Sequence, residues 1–427
     1  MTNPAMPAQP PVHDHYAPAL LGLAAVMTSV SRGEDLAHLS DRLMRAAAGH
    51  SGAARANSLL DLSLMLFLKQ AHDVALRLQT EALNLQQCYH LPATGAPAKG
   101  DRPIRLLAFM GPGDLTANTP LEFLIQDSDI DLTMLFVAPW LPFPERVPEH
   151  DVAFVAIGES RQSLPTLALV ERLLERWPRP VLNAPGRIAR LSRDRVSALL
   201  KAVPGVQAPS SLGLTRTVLE PIAHGQQPLS NVLQDGDFPL IVRPRDSHGG
   251  KRLQKVHTPA ELAAYLQTTP EAEFFLSPFV DYRSPDGQFR KYRIVLIDGR
   301  PYACYMAISE HWVVHYRSGG MADEADKRAQ EARFMADFDQ AFARRHARAL
   351  AGIAQTLGLD YLILDCAETP DGRLLVFEAD NSALVHALDP PELFPYKQPQ
   401  MRKVFAAFRA MLLKARAPLN SQSPPSS

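Results

Sequence analysis

Apolar residues at helical spacing dominate the first part of the chain. Between Leu20 and Leu91, leucines recur at intervals of three, four or seven residues, as in Leu36, Leu39 and Leu43. This period is typical of helices that bury one face. The pattern therefore predicts an antiparallel helical module over residues 19–91.

A different pattern follows a linker at residues 92–101, which contains Pro, Gly, Ala and Thr. Short apolar runs now alternate with helical segments, and the runs include Ile104–Met110, Asp131–Val137 and Val152–Ile157. Alternation of strands and helices is typical of a parallel α/β layer. We expect such a layer over residues 101–190.

A strand predicted at Phe238–Val242 is followed by Arg243 and then by a glycine loop. The loop contains Ser247, His248, Gly249 and Gly250. Two adjacent glycines give the backbone freedom to direct several N–H groups at one phosphate. A glycine pair is equally typical of an ordinary β-hairpin, so both interpretations stand on local sequence.

An acidic hairpin lies near the end of the chain. Its first strand, Tyr361–Leu364, ends in Asp365, and its second strand ends in Glu378 and Asp380. Successive strand residues point to opposite faces, so Glu378 and Asp380 share one face. Grouped carboxylates favour a hard cation such as Mg²⁺ or Mn²⁺. The alternative is a solvated hairpin edge.

Composition narrows the classes of function. With 427 residues and 46% apolar content, two or three domains are expected. A net charge of -1 argues against nonspecific binding to nucleic acid or to an anionic membrane.

Three widely spaced cysteines indicate reduced thiols, not a disulfide framework or a zinc site. The chain shows neither a signal peptide nor a membrane span, so we expect a cytoplasmic protein, with disordered tails at 1–18 and 413–427.

The order of these elements resembles the ATP-grasp superfamily, and most of all its glutathione-synthetase-like ligases that carry an N-terminal tetratricopeptide-like helical segment. The resemblance covers residues 100–412, and Ser58–Leu85 is similar to one tetratricopeptide helix pair. It implies an α/β (α+β) ATP-grasp fold with an α-helical module in front. In that fold a parallel α/β pre-ATP-grasp domain, here 101–190, precedes an ATP-grasp domain, here 191–412, whose two β-rich subdomains clamp ATP.

The resemblance also implies a metal site in the acidic hairpin. By position, Asp365, Glu378 and the residue two beyond Glu378 would hold Mg²⁺ or Mn²⁺. The family usually has Asn at that last position, whereas this chain has Asp380 followed by Asn381. The strand period favours Asp380, and a bulge at the strand end would favour Asn381.

Nucleotide contacts follow from the same resemblance. Arg195 and Arg243 stand where the family usually has phosphate-binding lysines, and an arginine keeps the charge while adding a bidentate fork. The backbone of Phe279 and Val280 falls where the family strand passes the adenine. The alternatives are a solvated helix residue for Arg195 and a plain core strand for Phe279 and Val280.

Two cations on the next strand are candidate catalytic residues. Lys291 and Arg293 share one strand face, where they could meet phosphate or a substrate carboxylate. Arg293 matches an arginine of the family, whereas Lys291 replaces an aspartate. An edge strand with solvated basic residues is the alternative.

The sequence pattern of Asp323–Leu357 predicts a long, charged helical stretch that ends at Gly358. We expect it to be scaffold with a solvated charged face that includes Arg328, Glu331 and Asp339.

The sequence thus predicts an ATP- and Mg-dependent ligase that joins a small-molecule acid to an amine or thiol through an acyl phosphate. One alternative is a nucleotide-binding module with a regulatory or scaffold role and no ligase turnover. Phosphorylation of a small-molecule hydroxyl is a third possibility. The helical module could dock on a protein partner or a second subunit.

Overall fold

The computed structural model describes residues 19–417 except 235, 246, 248, 317 and 318. The tail predicted at 1–18 and most of the tail predicted at 413–427 lie outside the described residues. The chain divides into two compact units, Met1–Tyr89 and His90–Ser427. In the described part of the chain, every helix is too short or too polar to span a bilayer.

The first unit is built from helices: α1 (Gly22–Ser31), α2 (Leu36–Gly49), α3 (Gly52–Leu68) and α4 (His72–Leu85). Asp35 begins α2, because its carboxylate accepts a hydrogen bond from the N–H of Ala37 at 2.8 Å. Val26, Leu43 and Met65 form part of the buried core. Leucines at helical spacing thus pack the helices against one another.

A five-stranded sheet in the order β1-β3-β2-β4-β5 follows α4 along the chain. Its strands are β1 (Cys88–Leu91), β2 (Ile104–Met110), β3 (Ile130–Phe136), β4 (Val152–Val155) and β5 (Val181–Leu182). The pairs β2–β3, β2–β4 and β4–β5 are parallel. Its helices are α5 (Leu121–Leu124), α6 (Leu164–Leu174) and α7 (Pro185–Ile188). Its central strands are buried apolar runs, as expected when both faces of a parallel sheet are covered.

A four-stranded antiparallel sheet follows, in the order β7-β10-β8-β9. Its strands are β7 (Leu212–Thr215), β8 (Leu240–Pro244), β9 (Gln254–Val256) and β10 (Glu273–Pro278). Helices α9 (Arg216–Ala223) and α10 (Pro259–Thr268) contribute Leu219, Ile222 and Leu262 to one buried core with this sheet.

The last sheet has the order β12-β11-β13-β14-β6. Its strands are β6 (Val206–Gln207), β11 (Phe289–Ile297), β12 (Arg300–Ser309), β13 (Tyr361–Glu368) and β14 (Leu374–Asp380). The remaining helices are α8 (Arg193–Leu200), α11 (Ala325–Ala336), α12 (Phe342–Arg345), α13 (Ala347–Leu357) and α14 (Lys397–Arg416). β11, β12, β13 and β14 pair antiparallel, and β6 pairs parallel with β14.

The predicted fold class, α/β (α+β), is confirmed. A parallel α/β layer precedes two further β-rich sheets, and helices occupy the front of the chain. This is the arrangement that the ATP-grasp resemblance implies.

One expectation about the helices is wrong in detail. α14 runs to Arg416, so residues 413–416 are helical and do not belong to a tail. The charged stretch 323–357 contains α11, α12 and α13, in agreement with its helical prediction.

Glu331 on α11 corrects the expectation of a solvated face. Its side chain is fully buried, and its carboxylate accepts hydrogen bonds from Tyr316 Oη at 2.9 Å and Tyr396 Oη at 2.7 Å. Lys397 Nζ lies 3.4 Å from Glu331 Oε1. These partners come from distant parts of the chain, so a helical charge pattern does not reveal them.

Candidate functional site

A cavity of about 360 Å³ lies between the four-stranded sheet and the last five-stranded sheet. We call it the cleft. β8 and β10 line one wall with Ile241, Arg243 and Phe275. β11, β13 and β14 line the other wall with Lys291, Arg293, Asp365 and Glu378. Its volume falls in the range of about 300–1,000 Å³ that is usual for small-molecule sites.

Asp365 is the centre of an ion-pair network on the second wall. Arg293 Nε is 2.8 Å from Oδ1, and Lys291 Nζ is 2.9 Å from Oδ2. Burial raises the pKa of Asp365, but Arg293 and Lys291 outweigh burial and hold it far below its usual range. Burial lowers the pKa of Lys291, but Asp365 and Tyr305 together more than offset burial, and the pKa is raised. All three side chains are therefore charged.

Glu378 lies opposite Asp365 in the register of β13 and β14. It is paired with a residue that the sequence interpretation did not select: Arg193 Nη2 is 2.6 Å from Glu378 Oε1. Burial and the nearby Asp365 raise the pKa of Glu378, but Arg193 and Arg243 together more than offset them, and the pKa is lowered. Arg193 also donates to the Phe377 carbonyl at 3.1 Å, which fixes the guanidinium against the strand.

Arg195, the predicted phosphate contact on α8, does not line the cleft. It is exposed and donates to the Ala189 carbonyl at 2.8 Å. Val196 and Leu200 are the buried residues of α8. Positions three, four and seven apart share one face of a helix, so Arg193 lies on the inward face with them. The helical phase of the buried residues was the signal that could have selected Arg193.

Arg243 is buried, with 8% of its surface exposed. Its Nε donates to Ser247 Oγ at 3.1 Å, and its Nη2 donates to the Ser247 carbonyl. Among the described residues, no carboxylate forms a salt bridge with it. Burial and the neighbouring Arg193 lower the pKa of Arg243 to about 10, although the charge of Glu378 opposes this shift, so the side chain remains charged at neutral pH. A buried cation whose nearest described carboxylate is already paired with another arginine favours an anionic ligand.

The glycine loop also reaches the cleft. Gly249 and Gly250 line it, and both have positive φ angles, of 61° and 72°. A Cβ at Gly250 would collide with Nε2 of His315, which lines the cleft from the segment after β12. Only glycine therefore satisfies both the backbone conformation and the contact. His248 lies outside the described residues.

Phe279 and Val280 line the cleft just after β10. The N–H of Phe279 already donates to the Pro239 carbonyl at 2.9 Å. Its ring meets the ring of Trp312 edge-on, with centroids 5.7 Å apart, and Lys255 Nζ lies 4.2 Å from the Phe279 centroid. These aromatic rings give one end of the cleft an apolar wall that suits a planar base.

Asp380 and Asn381 do not line the cleft. Asp380 accepts two hydrogen bonds from Ser382, at 2.8 Å from its N–H and 3.0 Å from its Oγ. Burial and the nearby charge of Glu378 raise the pKa of Asp380. Asn381 is fully buried and donates to the Ile157 carbonyl at 3.0 Å, while its Oδ1 has no hydrogen-bond partner among the described residues.

The carboxylates that line the cleft suit a divalent cation that is also coordinated by a bound ligand. They are less suited to a cation that is coordinated by protein side chains alone. Asp365 and Glu378 offer carboxylate oxygens on adjacent strands. In the described ranges, no group of three or more His, Cys, Asp or Glu side chains could hold a metal ion. Mg²⁺ is commonly bound by one or two carboxylates plus substrate phosphates, and the pair Asp365 and Glu378 matches that pattern.

Four cationic and two anionic side chains line the described part of the cleft: Arg193, Arg243, Lys291, Arg293, Asp365 and Glu378. The cations outnumber the anions by two. With low-dielectric walls, such an excess attracts anionic ligands.

No protein-family model and no curated protein matches the sequence. Among solved structures, D-alanine–D-alanine ligase from Bacillus anthracis, complexed with ATP, is 14% identical with a TM-score of 0.44; the match covers 73% of this chain and 98% of the ligase. VanG D-Ala:D-Ser ligase from Enterococcus faecalis is 12% identical with a TM-score of 0.44, covering 74% and 100%. The ATP-grasp ligase PsnB, complexed with precursor peptide PsnA2 and AMPPNP, is 14% identical with a TM-score of 0.40, covering 72% and 98%. These likenesses are too distant to assign an activity to this chain.

Proposed function

We propose that this protein binds ATP in the cleft and uses it to join a carboxylate to an amine or thiol through an acyl phosphate. The observation that carries the proposal is Arg243, a buried guanidinium with no carboxylate partner among the described residues. It lies beside a glycine loop and in a cavity with an excess of positive charge. A polyphosphate is the kind of ligand that such a site favours.

The cleft offers distinct surfaces to the two ends of a nucleotide. Arg243, Gly249 and Gly250 would contact the phosphates, and the aromatic wall at Phe279 and Val280 would contact the adenine. Ser247 does not line the cleft and would support the phosphate site by holding the Arg243 guanidinium. Because the Phe279 N–H is used by Pro239, the base would pair with other backbone groups of this segment. Arg193 replaces Arg195 as the second arginine of the phosphate region.

Phosphoryl transfer depends on positioning and charge neutralisation more than on covalent help. A substrate carboxylate oxygen attacks the γ-phosphorus, the bond to the β–γ bridging oxygen breaks, and ADP leaves with that electron pair. The amine or thiol then attacks the acyl carbon, phosphate leaves, and the nucleophile loses a proton. We assign Arg293 and Lys291 to holding the substrate carboxylate and the acyl phosphate, since both cations face the cleft.

A divalent cation, Mg²⁺ or Mn²⁺, would add charge neutralisation at the phosphate oxygens. Asp365 and Glu378 are the residues that would hold it, because they line the cleft on adjacent strands. Asp380 is a weaker candidate, because it lies outside the cleft lining and is bonded to Ser382. Asn381 is a weaker candidate, because its amide is anchored to the Ile157 carbonyl.

One observation favours the alternative of a nucleotide-binding module without ligase turnover. Both candidate metal ligands are already bonded to cations, Asp365 to Lys291 and Arg293, and Glu378 to Arg193. A site that is neutralised in this way can hold a nucleotide and still release it unchanged.

The test is an assay for acyl phosphate formation. The protein is incubated with ATP, Mg²⁺ and pooled carboxylic acids, with hydroxylamine as the nucleophile, and ADP, phosphate and hydroxamate are measured. The proposal predicts equal amounts of all three products and a loss of product in Glu378→Gln. The matched control, Asp298→Asn, changes an exposed carboxylate that is paired with Lys414.

ADP release without phosphate or hydroxamate would instead indicate phosphorylation of a hydroxyl group. Nucleotide binding without any of the products, across broad acid pools, would indicate the module. A Glu378→Gln variant with undiminished turnover would contradict the role of Glu378.

A further inference from the structure

The two carboxylates of the cleft differ in how they are neutralised. Asp365 is bonded by two cations from its own sheet, Lys291 and Arg293. Glu378 is bonded by one cation from a helix, Arg193. The Arg193 side chain keeps 21% of its surface exposed and the Glu378 side chain keeps 36%. The Arg193–Glu378 pair is therefore the more accessible of the two.

We propose that Arg193 substitutes for a divalent cation at Glu378, so that the cleft binds a nucleoside triphosphate without metal, and that a metal ion competes with Arg193 for this carboxylate. The inference rests on the proposed nucleotide site. It goes beyond that proposal, because it assigns the neutralisation of Glu378 to a side chain of this protein.

Charge balance supports the inference that the cleft binds a nucleoside triphosphate without metal. Without Arg193, the carboxylate of Glu378 would lack a salt bridge, would face incoming phosphates, and would draw on the charge of Arg243. With Arg193 in place, Glu378 is neutralised and Arg243 stays available to the phosphates, since no described carboxylate forms a salt bridge with it. Phosphates then meet an excess of positive charge before any metal is present.

Geometry supports the inference that a metal ion competes with Arg193 for Glu378. Arg193 Nη2 binds Glu378 Oε1, while Nη1 binds the Phe377 carbonyl at 3.1 Å. The second bond keeps the guanidinium in the cleft if a metal ion takes Glu378. Arg193 also lies close enough to Arg243 to lower its pKa. The released Nη2 would therefore point into the region that holds the phosphates, where arginine binds oxygen pairs well.

The experiment measures binding and does not need turnover. AMP-PNP is titrated into the full chain by calorimetry, once in EDTA and once in Mn²⁺, for the wild type and the variants Arg193→Gln, Arg193→Lys and Arg195→Gln. The free Mn²⁺ signal in electron paramagnetic resonance reports metal binding in the same samples. Arg195→Gln is the matched control, because Arg195 lies two positions along α8, is exposed and does not line the cleft.

We expect the wild type to bind AMP-PNP in EDTA. Arg193→Gln should weaken that metal-free binding by about tenfold or more, because the unpaired carboxylate of Glu378 would repel the phosphates. In Mn²⁺ the same variant should lose less than about threefold, because the freed Glu378 then binds the metal. Arg193→Lys should restore part of the metal-free affinity, and Arg195→Gln should match the wild type.

Two outcomes overturn the inference while leaving the nucleotide site standing. One is wild-type binding that occurs only with Mn²⁺. The other is an equal loss in EDTA and in Mn²⁺ for Arg193→Gln, which would make Arg193 a plain phosphate contact. Absence of AMP-PNP binding under both conditions in the folded wild type would overturn the proposed function itself. Circular dichroism confirms folding of each variant.

Discussion

Arg293 and Asp365 lie opposite each other on β11 and β13, and Arg293 Nε is 2.8 Å from Asp365 Oδ1. The bond joins a buried carboxylate to a mostly buried guanidinium on the second wall of the cleft. The pair ties the charge network to the register of the sheet, since a slip of one residue would turn both side chains to the opposite face. Stability and the proposed ligand binding would therefore depend on the same residues.

Replacing Asp365 should destabilise the fold strongly. Asp365→Asn leaves Lys291 and Arg293 without their counter-charge, and breaking a buried pair in this way costs about 3–5 kcal/mol. Urea unfolding followed by circular dichroism measures the change. Asp298→Asn, which breaks the exposed pair with Lys414, should cost less than about 1 kcal/mol. Equal effects of the two substitutions would contradict the buried network.

The helical unit should lose stability as pH rises. Asp61 on α3 is buried and accepts the N–H groups of Leu21 and Gly22 at 2.8 and 2.9 Å. Burial raises the pKa of Asp61 from 3.8 to about 7 despite these hydrogen bonds. The folded state therefore holds this proton more tightly than the unfolded state. The contribution of Asp61 to the free energy of unfolding is complete below about pH 4 and decreases until about pH 7. The total decrease is roughly 4 kcal/mol at most.

Urea unfolding at pH 5 and pH 8 measures this dependence on Asp61. Asp61→Asn should flatten the difference between the two pH values, because the amide does not titrate. Asp41→Asn, on an exposed position of α2, should keep the wild-type difference. A wild-type protein that gains stability between pH 5 and pH 8, with Asp61→Asn behaving identically, would rule out the assignment.

Glu331 should be essential for packing α11. Glu331→Ala removes the acceptor for Tyr316 and Tyr396 and the partner of Lys397, all of which are partly or fully buried. We expect the free energy of unfolding to fall by about 3–5 kcal/mol. The matched substitution Asp339→Ala, at an exposed position nearby, should change it by less than about 0.5 kcal/mol. Thermal or urea unfolding of both variants decides the matter.

The acidic hairpin shows how far the sequence could predict the site. Strand period and the turn between the strands placed Asp365 and Glu378 together, and the structure pairs them across β13 and β14. Their cationic partners were harder to predict, because they come from β11 and from α8. Local pattern describes one element, whereas an ion pair depends on how two elements pack.

Arg193 and Glu331 are two further residues whose surroundings depend on how separate elements pack. Arg193 and Arg195 have similar surroundings in the sequence. They differ because Arg193 shares the inward face of α8 with the buried residues Val196 and Leu200, whereas Arg195 does not. Glu331 belongs to a charged helix that reads as solvated, yet its partners Met306 and Tyr396 approach from elsewhere in the fold. Burial of a charged residue depends on such distant partners.

The central claim is that the cleft at Arg243 binds ATP, and nucleotide affinity of Arg243→Gln tests it most directly. AMP-PNP with Mg²⁺ is titrated by calorimetry into the wild type, into Arg243→Gln and into the control Arg195→Gln, with folding checked by circular dichroism. We predict measurable binding to the wild type and the control, and a loss of about tenfold or more in Arg243→Gln. Unchanged affinity in a folded Arg243→Gln variant would contradict the account.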